Sequence, residues 1–168
     1  SPRTVELVEA HGTGTVAGDA AEFAGLKAVF GPEAGGQSNW CALGSIKSQI
    51  GHTKAAAGAA GMFKAVMALN QKILPPTGQV DRPNPKLGIE DRPFYLNTAA
   101  RPWIRGDGHP RRAAVSSFGF GGSNFHLTVE EYVGDGRRPE TVRTMPAELF
   151  LLSADDQAAL VQSATLAI

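Results

Sequence analysis

Apolar positions along the chain change their spacing several times, and each change marks an element. The run TVELVEA, Thr4–Ala10, is short and mostly apolar and predicts a β-strand. It breaks at His11-Gly-Thr-Gly-Thr, where backbone freedom replaces side-chain bulk. Asp19 with Glu22 three positions later predicts a helix start, Asp19 acting as N-cap of a capping box. Phe23, Leu26 and Phe30 then recur at helical spacing, and Gly31 offers a stop. WCALGSI, Trp40–Ile46, lacks strict alternation and predicts a strand buried on both faces. From Thr53 to about Asn70 a second helix is expected. Ala and Gly fill its first turns, and Met62, Phe63, Val66, Met67 and Leu69 crowd its second half. A helix apolar nearly all round is expected to be central, and its small residues admit close neighbours.

Pro75-Pro76 ends that helix. Gln79–Ile89, with Pro83 and Pro85, reads as an ordered loop, Phe94–Asn97 as a short strand and Arg105–Arg111 as a polar surface turn. Ala113–Phe118 and Phe125–Tyr132 predict two strands joined by GFGGSN in a hairpin-like pattern, with Phe125, Leu127 and Val129 alternating against His126, Thr128 and Glu130. Beyond Tyr132 the composition shifts. Gly134–Pro139 reads as a linker, Glu148–Ser153 as a strand and Ala154–Ile168 as a helix. Strands alternating with helices indicate an α/β fold.

Composition narrows the function classes. The 168 residues suit one domain with a substantial core. Sixteen basic residues balance sixteen acidic ones, so no basic stripe invites nucleic acid. The longest uncharged apolar run, Ala55–Phe63, falls short of the ~20 residues of a membrane helix, so no membrane partner is expected. No signal-peptide pattern is read at the first residues, and Cys41 is the only cysteine. No internal disulfide can form, and a cytoplasmic location is the expectation. Gly, at 20 residues, is enriched in clusters that mark turns and close packing rather than disorder.

The candidate chemistry gathers at two loops. His11 follows a strand and opens a Gly/Thr loop; His52, in GSIKSQIGHTKAAAG, follows a strand and opens the Ala/Gly helix. Sites of α/β sheets lie at such loops, and imidazoles suit acid/base or oxyanion work. Two satisfied structural histidines is the competing reading. Lys47 lies in apolar company and calls for a carboxylate, for which Glu22 and Asp19 are candidates; a solvated lysine and a plain capping box are the alternatives. Gly119-Phe-Gly-Gly frees backbone N–H groups to face an anion, or makes a tight hairpin turn. Other chemistries fare worse. HGTGTVAG has the spacing G-x-G-x-x-x-G rather than G-x-G-x-x-G, and no P-loop pattern occurs. Cys41 and the four histidines lack zinc-ligand spacing, so no metal is expected, and Cys41 itself reads as a buried, inert thiol.

Three segments, VEAHGTGTVAGDAAE, GSIKSQIGHTKAAAGAAG and SSFGFGGSNFH, taken in this order and at these distances, resemble the C-terminal half of β-ketoacyl synthases. More narrowly, they are similar to the ketosynthase domains of multidomain polyketide and polyunsaturated-fatty-acid synthases. ILPPTGQVDRPNPKL and PFYLNTAARPW resemble the connecting segments, so the likeness covers about residues 1–132. Residues 133–168 resemble the start of a linker toward an acyltransferase domain.

The resemblance implies a thiolase-like α/β fold, a mixed sheet packed by helices, incomplete beside the family's five layers. It implies decarboxylative Claisen condensation of a malonyl-type thioester with an acyl-cysteine enzyme. His11 and His52 would be the catalytic histidines, and Lys47, paired with Glu22, the structural lysine. Thr13 and Thr15 would contact the pantetheine arm. Phe118 and Phe120 would form a gate, with the Phe120 N–H as second oxyanion-hole donor, and Asn124 would brace that loop; core packing is the alternative for both Phe residues. The family's nucleophilic cysteine has no counterpart here. The chain is therefore expected to work with an N-terminal half, as a piece of a longer chain or as half of a split enzyme. A non-catalytic docking remnant of a split ketosynthase is the alternative. Expected partners are the N-terminal half, an acyl carrier protein bearing phosphopantetheine, an adjacent acyltransferase and a second copy in a homodimer. No cofactor is expected to bind the chain directly.

Overall fold

The computed structural model describes residues 1–35, 39–80, 82–89, 93–104, 108–135 and 154–166. The chain divides into two units, Ser1–Arg137 and Arg138–Ile168. In the first, strand β1 (Leu7–Glu9) leads to helix α1 (Val16–Phe30), β2 (Cys41–Gly44), a short helical turn α2 (Lys47–Ile50) and α3 (Ala57–Gln71). The two-residue β3 (Ile73–Leu74), β4 (Phe94–Leu96), β5 (Arg101–Pro102), β6 (Arg112–Phe118) and β7 (Asn124–Glu130) complete it.

Five strands form one sheet in the order β4-β2-β1-β6-β7. The first four run parallel, and β7 pairs antiparallel with β6, Phe118 facing Asn124 and Arg112 facing Glu130. The hairpin expected around GFGGSN is thus present. Parallel strands lie between two layers because each is buried on both faces, which is why WCALGSI does not alternate. Side-chain parity in β1 sets the layers. Val8 faces α1, in a cluster with Phe23, Leu26, Phe30, Cys41, Phe94 and Ala114. Leu7 faces α3, in a cluster with Ala42, Ala65, Ala68, Leu69, Trp103, Ala113 and Val115.

Helix α3 can press onto β1 and β6 because Gly61 carries no side chain. A Cβ there would sit 3.1 Å from Glu9 Cγ and 3.2 Å from Val115 Cγ1. Its expected central place is half met in this unit. Ala57, Gly61, Ala65 and Ala68 are buried, whereas Met62, Phe63, Val66 and Met67 are exposed, Phe63 by 67%.

Several boundaries differ from expectation. Helix α1 starts earlier because Thr15, not Asp19, is the N-cap: Thr15 Oγ1 accepts from the Gly18 N–H at 3.2 Å. Asp19 lies within the first turn, where its charge suits the helix dipole, and its Oδ1 accepts instead from the Gly14 N–H at 3.1 Å. The second strand ends at Gly44, and Ile46 already belongs to the turn of α2. The helix expected from Thr53 opens as a 3-10 turn, Lys54–Ala56, before α3 proper. The pairing of β3 with β5 was not foreseen. Within the second unit, helix α4 (Gln157–Leu166) lies inside the expected Ala154–Ile168, and Asp156 Oδ1 accepts from the Ala159 N–H near its start. The expected strand Glu148–Ser153 lies outside the described residues, as do Arg105–Asp107 of the polar turn and Gly136–Pro139 of the linker. Among the described residues, no helix is long and apolar enough to cross a membrane.

Candidate active site

The parallel arrangement brings the C-terminal ends of β1, β2 and β6 side by side, and each carries a site segment. His11 follows β1, α2 and His52 follow β2, and Phe118 ends β6. The His11 and His52 rings meet edge-on, with centroids 5.4 Å apart and planes at 87°. Phe118 lies against His11 at 5.5 Å, tilted by 47°.

Each histidine is fixed by its own loop. Glu22, nearly two turns into α1, reaches back to the end of β1. Its Oε1 accepts from the His11 N–H at 2.8 Å and its Oε2 from the Gly12 N–H at 2.9 Å. Glu22 therefore ties the loop to the helix and is not the second member of a capping box. Gly12 is required by φ +47° and by space, since a Cβ would sit 2.7 Å from Ser45 Cβ. Ser45 Oγ donates to the His11 carbonyl at 3.4 Å. The second histidine is set by backbone: the Lys54 N–H donates to His52 Nδ1 at 3.0 Å, and Lys54 holds a left-handed φ of 55° to do so. With Nδ1 accepting, the proton of the neutral ring sits on Nε2.

The surroundings of His11 disfavour its protonated form. Burial, then the Lys47 charge, then His52 push its pKa below the ordinary histidine value, against a smaller opposing pull from Asp19. Burial also pushes Lys47 down, while Glu9 and then Glu22 pull it back up. Burial pushes the Glu22 carboxyl up, and the two backbone N–H groups pull it down. Lys47 and Glu22 thus interact across space but form no contact ion pair; the expected pairing is corrected in that respect. The buried contact pair nearby is Glu9–Lys64, 2.7 Å apart.

A cavity of about 930 Å³ gathers eight of the nine expected site residues: His11, Thr13, Thr15, Glu22, His52, Phe118, Phe120 and Asn124. Lys47 lines the adjoining cavity of about 470 Å³, which His52, Thr13 and Glu22 also border. Thr13 and Thr15 share a hydroxyl contact of 3.1 Å. The Phe120 side chain is fully exposed in this unit. Within its loop the Gly119 N–H bonds Ser123 and the Gly122 N–H bonds Gly119; the Phe120 N–H takes part in neither. Asn124 enters through the strand register opposite Phe118, and its side chain makes no hydrogen bond to the described residues.

Three residues escaped the sequence reading. Glu9 and Lys64 are opposite charges, the one charge in β1 and the one charge in α3, and that was the available signal. His126 shares the larger cavity and its Nδ1 lies 2.9 Å from Ser116 Oγ across the hairpin, a pair legible only once the register is known. Cys41 is completely buried, and burial pushes its thiol well above the ordinary value, so it has none of the thiolate character a nucleophile needs. Among the described residues, no group of three or more His, Cys, Asp or Glu could hold a metal ion.

The mixed sheet packed by helices is the thiolase-like fold of the ketosynthase domains to which the chain is similar. Residues 1–81 match the family described as "Beta-ketoacyl synthase, C-terminal domain", and residues 83–167 match "Ketoacyl-synthetase C-terminal extension". The chain belongs to the β-ketoacyl synthase family. It is 45% identical over 153 residues to polyketide synthase PksL of Bacillus subtilis, covering 91% of this chain and 3% of that protein. It is 45% identical over 169 residues to a polyunsaturated fatty acid synthase of Thraustochytrium sp., covering 96% of this chain and 6% of that protein. Among solved structures it is similar to the ketosynthase from module 6 of the bacillaene synthase of Bacillus subtilis 168, with a TM-score of 0.76 and 47% identity over 81% of this chain and 24% of that one. The chain thus spans a small fraction of the curated relatives and about a quarter of the solved ketosynthase.

Proposed function

We propose that this chain supplies the two-histidine half of a β-ketoacyl synthase performing decarboxylative Claisen condensation in polyketide or fatty acid biosynthesis. The observation that carries the reading is the edge-on His11–His52 pair at the cavity, 5.4 Å between centroids. A malonyl-type thioester binds there. Its bond to the carboxylate breaks, carbon dioxide leaves, and the electron pair becomes an enolate with negative charge on the thioester oxygen. Imidazole N–H donors of the two edge-on rings stabilise that charge. The enolate carbon then attacks the carbonyl of an acyl-cysteine; the new C–C bond forms, the C–S bond breaks and the thiolate leaves. That cysteine comes from residues outside this chain, since Cys41 is buried and inert.

The other residues take supporting roles in this reading. Burial and then the Lys47 charge lower the His11 pKa, and Glu22 holds the His11 loop. Thr13 and Thr15 face the pantetheine arm of the acyl carrier protein partner, which carries the phosphopantetheine. Phe118 and the exposed Phe120 gate the cavity, and the Phe120 N–H donates to the oxyanion of the condensation step. Residues 1–132 are the ketosynthase portion and 133–168 lead toward an acyltransferase domain. The N-terminal half, and a second copy in a homodimer, complete the enzyme in the cytoplasm. A non-catalytic docking role is less well supported, because the relatives named above are synthases.

The test is His11→Ala and His52→Ala, each in the complete condensing domain. Removing one preorganised donor is expected to cut carbon dioxide release from a malonyl carrier protein about 100-fold or more. Melting temperature and cysteine acylation by an acyl thioester should persist. Undiminished release in either variant overturns the reading.

A further inference from the structure

Glu9 and Lys64 form a buried ion pair behind the two histidine loops. Glu9 is 1% exposed and Lys64 9%, the one charge in β1 and the one charge in α3. Taking two charges out of water is unfavourable, and an ion pair of this kind is weak evidence for stability alone. Its geometry points elsewhere. One carboxylate oxygen of Glu9 meets Lys64 Nζ at 2.7 Å, and the other accepts from the backbone N–H of Ile46, the residue just before Lys47. Glu9 also precedes His11 by two residues, with only Ala10 between. One side chain therefore joins the strand that ends in His11, the turn that carries Lys47 toward His52, and the helix behind both.

We infer that Glu9 is a positioning residue of the condensing site. Its carboxylate, oriented by Lys64, fixes the height of the Ile46–Ile50 turn relative to β1 and so the approach of the two histidines. The inference deepens the reading above and rests on it. Glu9 touches no substrate; it acts through the turn. Its charge also reaches Lys47, on which it has the largest favourable electrostatic influence.

The test uses the complete synthase carrying this chain and two partial reactions. Release of carbon dioxide from malonyl carrier protein reports the histidine geometry. Acylation of the catalytic cysteine reports the folded, binding-competent fraction. Replacing both charges, E9M/K64M, leaves no charge unpaired and is expected to fold, because apolar residues of similar volume often replace buried ion pairs without loss. Ile46 then has no acceptor. Decarboxylation kcat should fall about 10- to 100-fold at unchanged KM, the usual cost of a small misplacement, while acylation stays within about twofold. Normal decarboxylation, or an equal fall in both reactions, would sink the inference. If E9M/K64M does not fold, E9D gives a second reading. It keeps the charge but withdraws the carboxylate by one methylene, and the same selective loss is expected; a parallel loss or none overturns the proposal. Decarboxylation that survives H11A and H52A would instead overturn the underlying function, separately from this result.

Discussion

Glu22→Gln perturbs one side chain that holds two backbone donors. In the native protein its two oxygens accept from His11 N–H at 2.8 Å and Gly12 N–H at 2.9 Å. Glutamine keeps one oxygen and turns an NH2 group toward the other backbone N–H. The surviving bond loses its charge, costing about 1 kcal/mol, and the opposed donor is left unsatisfied, costing about 1–3 kcal/mol. Glutamine also escapes the burial of a charge, which offsets part of the loss. The net expectation is about 1–3 kcal/mol of destabilisation, read as a lower denaturant midpoint at constant slope. Freed from its tether, the His11 backbone should also drift, lowering carbon dioxide release about 10- to 100-fold. Glu22→Ala should be worse in both assays, because neither donor keeps a partner. A Glu22→Gln protein within about 0.5 kcal/mol of the parent and equally active would refute this account of the loop.

Acid should act on His11 in a defined direction. Its folded pKa lies below the unfolded value, so its contribution to stability is present above the unfolded pKa and is lost as pH falls through the folded one. Lys47→Met removes a charge that pushes that pKa down, so the acid limb of the decarboxylation profile should move to higher pH; a shift the other way contradicts the reading. Gly12→Ala forces a side chain into a left-handed backbone and against Ser45 Cβ, and should cost about 2–4 kcal/mol in chemical denaturation. A neutral Gly12→Ala would mean the loop relaxes freely. Cys41→Ala in the complete domain should leave acyl loading intact at a modest loss in melting temperature; a folded variant that cannot be acylated would make Cys41 the nucleophile after all.

The sequence was most legible where the information is local. Helical spacing of Phe23, Leu26 and Phe30 and the alternation of Phe125, Leu127 and Val129 identified α1 and β7. The two histidines and the Gly-rich turn were singled out because each sits in a short loop next to a strand readable from its own residues. Failures arose where a side chain acts across the fold. Asp19 and Glu22 have capping-box spacing, yet both serve the preceding loop, a choice made only when β1 and α1 dock. Lys47 needed a carboxylate in principle, and Glu22 is within electrostatic reach, but the buried contact formed between Glu9 and Lys64, brought together through β1 and α3. The β3–β5 pair has two residues per strand, too few for any period to register.

The backbone bond from Lys54 to His52 frees position 54 to diversify. The His52 ring is oriented by an amide every amino acid but proline carries, so the side chain at 54 can change without disturbing the ring. That side chain borders the larger cavity. Random replacement at this one codon should therefore yield an active series of differing cavity chemistry, with glycine, suited to the φ of 55°, among the best tolerated and proline the outlier.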